Sequence, residues 1–568
     1  MDIQSIVEND LVLDPSSVWV LKEHREFGYS DGAASERYLE EVFRDAGDLG
    51  SRSSELEARI RDWPSEYHLS AKRAQLLSGF NFDRSLKVLE VGCGCGAITR
   101  FLGESFDSVV SVEGSPSRAR LARLRTRDVE GVSIVCAPFH KLAFSQPFDI
   151  IFCIGVYEYS ASFVGGDDPY GATLRYFSDM LSPDGMLFIA IENQFGLKYF
   201  NASREDHLGT RFEGLEGYHA RPAGVRTFGK RELECDLRKH FPLVRFYYPY
   251  PDYKLPDCVL DGEFLATGQA AELISQMKSR DHAGDMEPLW DEAPVLLELA
   301  RNRMLEFFSN SFLVLAGKGA PRGVSFEQLA VLFSSGRKAA FATVSRVVRN
   351  GGNRLVVSKR LASGTGTADA GVLKLVDTDS LWADSHSLHT LAYLGCKSRG
   401  SGLETIFEPC KAWVGHLRRL SSVRGGVMTL GGEHIDSIWP NAYPAPDGCR
   451  VVDREWIWSA PIPMNVVVIR AIHDFLNRIE GARGLSGALD VRSGKALIEG
   501  IARAIGVDLR DGDFEEFVDI ESELQSVVFG VEKWRHALNL RWFLFDRPTI
   551  RLFRSARRLI RRISAFRP

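Results

Sequence analysis

Residues 88–97 read Val88-Leu89-Glu90-Val91-Gly92-Cys93-Gly94-Cys95-Gly96-Ala97. A short apolar run passes into three glycines at alternate positions and then into a helical pattern. Glycine suits such a turn because it adopts positive φ freely and lets the backbone pass close to a bound nucleoside. Glu113 ends the next apolar run, twenty-one residues after Gly92. A carboxylate there is placed to accept both hydroxyls of a ribose.

From Leu86 to about Tyr247, short apolar runs alternate with helical segments, the pattern of a parallel α/β sheet. The predicted strands are Lys87–Val91, Ser108–Val112, Val132–Cys136, Phe148–Ile154, Met186–Ile191 and Leu243–Tyr248. A seventh, Ser311–Ala316, follows a mostly helical stretch, about 258–308, read as an insertion before the sheet closes. The first 60 residues are polar, with short apolar periods at Tyr38, Val42 and Phe43, and read as helices.

Taken literally, Gly92-x-Gly94-x-x-Ala97 also suits a dinucleotide whose pyrophosphate sits on the helix N-terminus. Three features shift the balance. Glu90 puts a negative charge beside the loop, which favours a cationic ligand over a pyrophosphate. Phe148-Asp149-Ile150-Ile151 opens the fourth strand, and Leu181-Ser182-Pro183-Asp184-Gly185 turns into the fifth. Over residues 65–320 these motifs resemble the class I S-adenosylmethionine-dependent methyltransferases. The resemblance implies a Rossmann-like, seven-stranded sheet and S-adenosylmethionine as cofactor. It places Glu90, Gly92, Gly94 and Gly96 along the methionine part, Glu113 on the ribose, Cys136 and Ala137 beside the adenine, and Ile154 and Gly155 beneath the sulfonium. Cys136 departs from the family, which often has an acid there.

Methyl transfer from a sulfonium is an in-line displacement, so positioning carries most of the catalysis, about 7–11 kcal/mol where it is good. A base is needed only for a hydroxyl or amine acceptor. Polar groups cluster in Glu66-Tyr67-His68, in Glu192-Asn193-Gln194-Phe195-Gly196-Leu197-Lys198-Tyr199 and in Arg204-Glu205-Asp206-His207. Gly217-Tyr218 and Arg226-Thr227-Phe228 follow closely. His68 and His207 are the candidate bases. Glu192 and Asn193 are candidate acceptor contacts, and Lys198 and Arg204 suit an anionic acceptor. The second stretch resembles methyltransferases of bacterial surface-polysaccharide assembly.

Gly317 to Gly323 reads as a linker, and Asn350-Gly351-Gly352-Asn353 as a hairpin turn between Ala340–Val348 and Leu355–Lys359. Farther on, His434-Ile435-Asp436-Ser437-Ile438-Trp439-Pro440-Asn441 fits H-x-D-x-x-x-x-N, and Asp453 follows Asn441 by twelve residues. In phosphoryl transfer one carboxylate orients the attacking hydroxyl while an Asn and a second Asp hold Mg2+. With the Asp453-Arg454-Glu455-Trp456 continuation, residues 330–530 resemble aminoglycoside-phosphotransferase-like kinases. That resemblance makes Asp436 catalytic, Asn441 and Asp453 metal ligands and Lys359 the lysine on the ATP phosphates. Two departures count against turnover: Gly336 is the only glycine in 334–348, and 384–394 holds no Glu. An active kinase, a degenerate one and an unrelated fold all stay open.

The chain has 568 residues, 26% charged and 45% hydrophobic, with a net charge of −5. Such a balance suits several ordinary folded units and argues against a nucleic-acid partner. The nine Cys show no CxxC pair, no signal peptide is indicated and no apolar run is long enough to span a membrane, so a cytoplasmic setting is expected. Arg535 to Pro568 carries ten Arg and one Asp. Leu552, Phe553, Ala556, Leu559, Ile560 and Ile563 recur there at three- and four-residue steps, which reads as a basic amphipathic helix.

The expected organisation is a helical cap at 1–64, a methyltransferase domain at 65–320, a smaller α+β kinase-like domain at 321–530 and a basic tail at 531–568. This order resembles the methyltransferase–kinase proteins that end O-antigen chains. It implies a glycan or lipid-linked saccharide acceptor, methylated on a sugar hydroxyl or on a terminal phosphate supplied by the second domain. The basic helix itself suits the inner membrane surface, a partner such as a glycosyltransferase, or the acidic body of its own chain. A small-molecule methyltransferase with a non-catalytic second domain, and a non-enzymatic scaffold that recruits glycosyltransferases, are the alternatives.

Overall fold

The apolar run before the glycines becomes the strand Lys87–Val91, at the centre of a mixed sheet. The computed structural model describes residues 3–545, except 25–27, 29, 31, 220–223, 283, 285, 335, 351–353, 480–488 and 490–493. The chain divides into two units, one ending at Phe333 and the other beginning at Ser334.

Eleven strands of the first unit join its main sheet. In chain order they are β1 (Leu11–Leu13), β2 (Trp19–Leu21), β3 (Lys87–Val91), β4 (Ser108–Glu113), β5 (Val132–Cys136), β6 (Phe148–Ile154), β7 (Leu181–Glu192), β8 (Leu243–Tyr250), β9 (Cys258–Asp261), β10 (Ser311–Gly317) and β11 (Ala330–Phe333). Their order across the sheet is β1-β2-β5-β4-β3-β6-β7-β10-β8-β9-β11. The five strands from β5 to β7 run parallel, and β10 lies antiparallel between β7 and β8. These strands are nearly continuous apolar runs because both faces are covered: Val88, Leu89, Val91, Ile150, Ile151 and Phe152 are all buried.

All seven predicted strands are present, and four further strands extend the sheet at its edges. β1 and β2 lie in the segment expected to be helical alone, and β2 pairs parallel to β5. Helix Ala33–Asp45 packs Leu39, Val42 and Phe43 against Leu56, Leu69 and Leu121, so the N-terminal segment shares a core with the sheet rather than standing apart from it. The expected insertion opens with β9, which pairs with β8, before turning helical. Gly317–Gly323 is no interdomain linker. Val324–Ser325 pairs with Asn81–Phe82 and β11 pairs with β9, so the first unit extends past the expected boundary at 320.

The second unit is α+β. Its predicted hairpin forms between Thr343–Arg349 and Leu355–Leu361, and Thr378–Leu381 adds a third strand; turn residues 351–353 lie outside the described residues. Helices Leu388–Lys397, Lys411–Leu420, Met464–Arg478 and Asp511–Phe529 supply most of the remaining core. Helix Lys533–Phe545 follows, while the predicted basic helix 548–563 lies outside the described residues. No helix among the described residues is long and apolar enough to cross a membrane.

Candidate functional site

A cavity of about 370 Å³ opens around the glycine loop, at the C-terminal ends of β3, β4 and β6, where ligands bind in open parallel sheets. Its floor includes Gly92, Gly94, Glu113, Ala137, Ile154 and Gly155. Gly92 has φ +74°, and a Cβ there would stand 2.3 Å from Val156 Cγ2. No other residue fits that turn. Glu113 is buried and accepts from the amides of Gly94 at 2.7 Å and Ser115 at 2.9 Å, so it pins the loop to the end of β4. Glu90 is also buried, and its carboxylate accepts from Ser111 Oγ at 2.7 Å. Burial raises its pKa to about 7 against the opposing pull of Ser111.

Two residues predicted to line this part lie off the cavity. Gly96 instead allows close helix packing: a Cβ would meet Ala122 Cα at 2.8 Å. Cys136 is fully buried in β5, its thiol pushed up to about 12 by burial, and only Ala137 of that pair reaches the surface of the cavity.

The far wall is built by loops after β7 and β8, joined through Asn310 and Ser311 at the start of β10. Asn310 Oδ1 accepts from the Lys198 amide at 3.0 Å, and its Nδ2 donates to the Pro251 carbonyl at 3.0 Å. Ser311 Oγ accepts from the Tyr253 amide at 2.8 Å. So held, the loops form a buried chain of alternating charges. Lys254 bonds Asp206 at 2.7 Å and also touches Glu192. Lys198 bonds Asp206 at 2.8 Å and lies 3.9 Å from Asp252, which meets His282 Nε2 at 2.7 Å. Trp63 stacks on His282 with ring centroids 4.0 Å apart. Burial alone would strip the proton from either lysine, but Asp206 and its neighbouring acids outweigh it and hold both pKa values up.

His207 is ringed by acids: Glu205 Oε1 at 3.0 Å from Nδ1, with Glu158 and Glu192 facing Nε2. Burial opposes its charge, yet Glu192, Glu158 and Glu205 raise its pKa well above the usual histidine range. A ring whose N–H is held among three acids is a poor proton acceptor, which favours a positioning or ligating role for His207 over that of a base. His68 is buried with its ring on the cavity, edge-on to Tyr67.

Among the predicted acceptor contacts, Arg204 lines the cavity and Lys198 does not. The Lys198 side chain is 1% exposed and occupied by Asp206 and Asp252. Asn193 is structural: its Nδ2 donates to the carbonyls of Phe307 and Ser309 at 2.8 and 2.7 Å, and its Oδ1 accepts from the Phe195 amide. Glu192 sits behind the wall, against Lys254. The sequence reading passed over Glu158, Asp252, Tyr253, Lys254 and His282. The run Pro251-Asp252-Tyr253-Lys254, polar residues directly after a strand, was the available signal.

In the second unit Lys359, on the strand Leu355–Leu361, bonds Asp453 Oδ2 at 2.5 Å and Glu455 Oε1 at 3.2 Å. Its acidic partners thus come from the segment 453–455 and not from 384–394. Asn441 Nδ2 donates to Asp436 Oδ2 at 2.9 Å, and Arg470 bonds Asp436 Oδ1 at 2.6 Å and Glu521 at 2.8 Å. Burial lifts the Asp436 pKa even against Arg470. Trp413 Nε1 anchors this loop by donating to the Ser437 carbonyl at 2.9 Å.

Residues 89–187 match the family described as a methyltransferase domain. Malonyl-[acyl-carrier protein] O-methyltransferase of Priestia megaterium is 25% identical over 118 residues, 20% of this chain and 40% of that protein. The chain therefore spans about two fifths of that curated relative. N-methyltransferase NodS from Bradyrhizobium japonicum, solved with S-adenosyl-L-homocysteine, is 19% identical over 28% of this chain and 74% of its own, with TM-score 0.20. Mycolic acid cyclopropane synthase is 16% identical over 50% of this chain and 98% of its own, with TM-score 0.25.

Arg470 tests whether its buried ion pairs hold the second unit together. Arg470→Met leaves Asp436 and Glu521 as buried acids without their cation. The expected cost is about 3–5 kcal/mol, read as a lower midpoint in chemical denaturation followed by tryptophan fluorescence.

Proposed function

We propose that the first unit transfers a methyl group from S-adenosylmethionine to a hydroxyl of a glycan or lipid-linked saccharide. The observation that carries this reading is a single cavity in which the glycine floor and Glu90 adjoin a wall of aromatic and charged side chains. The residues fit the cofactor. Glu90 is a buried carboxylate suited to a cation, and Gly92 and Gly94 present backbone to the cavity beside it. When bound, S-adenosylmethionine supplies an electrophilic methyl on a sulfonium. Glu113 holds the loop in shape, and its remaining lone pairs suit ribose hydroxyls. Trp63 and Tyr67 offer apolar ring faces and Arg204 a donor, a combination suited to a sugar. His68, on the cavity wall, is the base candidate.

We read the second unit as a kinase-like fold that does not turn over. Both oxygens of Asp436 are engaged, and Lys359 is bound to Asp453, the residue expected on the metal. The same chain also suits a membrane surface. Trp534, Leu538 and Trp542, one per helical turn, are 66%, 45% and 38% exposed just ahead of the arginine-rich tail, and exposed aromatics with basic residues favour an interface.

Three outcomes are expected. Full-length protein moves labelled methyl from S-adenosylmethionine to a lipid-linked glycan extract equally with and without Mg-ATP, and Gly92→Ala abolishes both cofactor binding and transfer; no labelling despite intact cofactor binding would reject the glycan acceptor. Cofactor affinity, measured by calorimetry, rises with pH through about 7 as Glu90 ionises. Glu90→Gln flattens that rise and weakens binding about 10–100-fold at pH 8. The protein cosediments with anionic vesicles more than with neutral ones, and Trp534→Ala with Trp542→Ala reduces the bound fraction; equal sedimentation would remove the membrane assignment.

A further inference from the structure

Glu158, Glu192 and His207 reach one point from three separate segments: the turn after β6, the last residue of β7 and the loop after helix Leu197–Phe200. One atom of each lies within 4.8 Å of the others. His207 Nε2 stands 3.4 Å from Glu158 Oε1 and 3.7 Å from Glu192 Oε2. Both separations exceed an ordinary N–H···O bond. They match the spacing of neighbouring ligands around a first-row ion with bonds of about 2.0–2.2 Å, which is about 2.8–3.8 Å for angles between 90° and 120°.

A second observation points the same way. The Glu158 side chain is 1% exposed and directed into this space, and neither of its oxygens accepts a hydrogen bond. A buried carboxylate left so is costly unless a cation completes it. Glu192 Oε2 likewise has no donor, while Oε1 faces Lys254. The nearby lysines do not balance the site. Among the described residues, the five acids Glu158, Glu192, Glu205, Asp206 and Asp252 face two ammonium groups, Lys198 and Lys254, and two imidazoles, His207 and His282.

The histidine is also oriented for ligation. Its Nδ1 is held by Glu205, whose carboxylate is fixed by the amides of His207 and Leu208 at 2.8 and 2.6 Å. A carboxylate on one ring nitrogen sets the tautomer and aims the other nitrogen at a metal.

We propose that Glu158, Glu192 and His207 bind one divalent transition-metal ion of the Mn2+ class. One imidazole and two carboxylates suit such an ion. Glu158 and His207 line the cavity and Glu192 closes the inner side, so the open coordination positions face the acceptor. The ion takes the place of the Nε2 proton and, as a Lewis acid, makes a coordinated hydroxyl easier to deprotonate. That last role rests on the methyltransferase reading; the binding does not.

The test uses full-length protein dialysed against chelator and titrated with Mn2+ alone, with free ion followed by electron paramagnetic resonance. One Mn2+ per chain is expected, and Glu158→Gln and Glu192→Gln should each weaken it at least tenfold while S-adenosylmethionine binding shows that they are folded. Should those variants fail to fold, protein labelled with 15N-histidine gives the answer directly, because bound Mn2+ must show coupling to an imidazole nitrogen. No stoichiometric uptake, uptake unaltered by Glu158→Gln, or bound Mn2+ without nitrogen coupling overturns the proposal. Intact S-adenosylmethionine binding in those cases would confine the failure to the metal site, whereas absent cofactor binding with normal Mn2+ uptake would fault the methyltransferase reading instead.

Discussion

Asn310 and Ser311 hold together parts of the chain that are otherwise far apart in sequence. Inserted antiparallel between β7 and β8, their strand brings the end of one beside the end of the other. Asn310 then bonds both following loops, and its carbonyl accepts from the Asn193 amide at 3.0 Å. Without that junction, the acids after β7 and the Asp252–Lys254 turn after β8 would not face each other. The charged wall of the cavity is a consequence of this strand insertion.

The two walls of the cavity follow different physical rules. The floor is a backbone surface: glycines at positive φ, gripped by Glu113, leave little for side chains to do beyond the single charge of Glu90. The far wall is made almost wholly of side chains, each cation set between acids. Buried charges of this kind are tolerable only when paired, so the wall is rigid wherever pairing is complete. At Glu158 and Glu192 it is incomplete, and there the wall has chemistry left to offer. The second unit repeats the theme, with Arg470 on Asp436, Lys359 on Asp453, and Lys359 and Arg337 together on Glu455.

Histidine shows how environment overrides residue type. His68 and His207 are equivalent as letters in a sequence, both lying in polar stretches expected near the acceptor. Three carboxylates surround His207, and no local pattern announces two of them, because Glu158 and Glu192 come from distant segments. Lys198 and Asn193 were misjudged for the same reason. Their sequence neighbours are polar, but their actual partners are Asp206, Asp252 and the carbonyls at 307 and 309.

By itself, the sequence determined the seven central strands, the glycine turn and the positions of Glu90 and Glu113. Strand periodicity and the left-handed glycine turn are local properties, expressed within a few residues. The edge strands β1, β2, β9 and β11 were not legible, because short edge segments are defined by the neighbour they pair with. The same holds for the boundary past residue 320, set by pairing with Asn81–Phe82 and β9. Only the tertiary structure decided which polar residues line the cavity and which serve as internal counter-ions, since that depends on charges meeting across the fold.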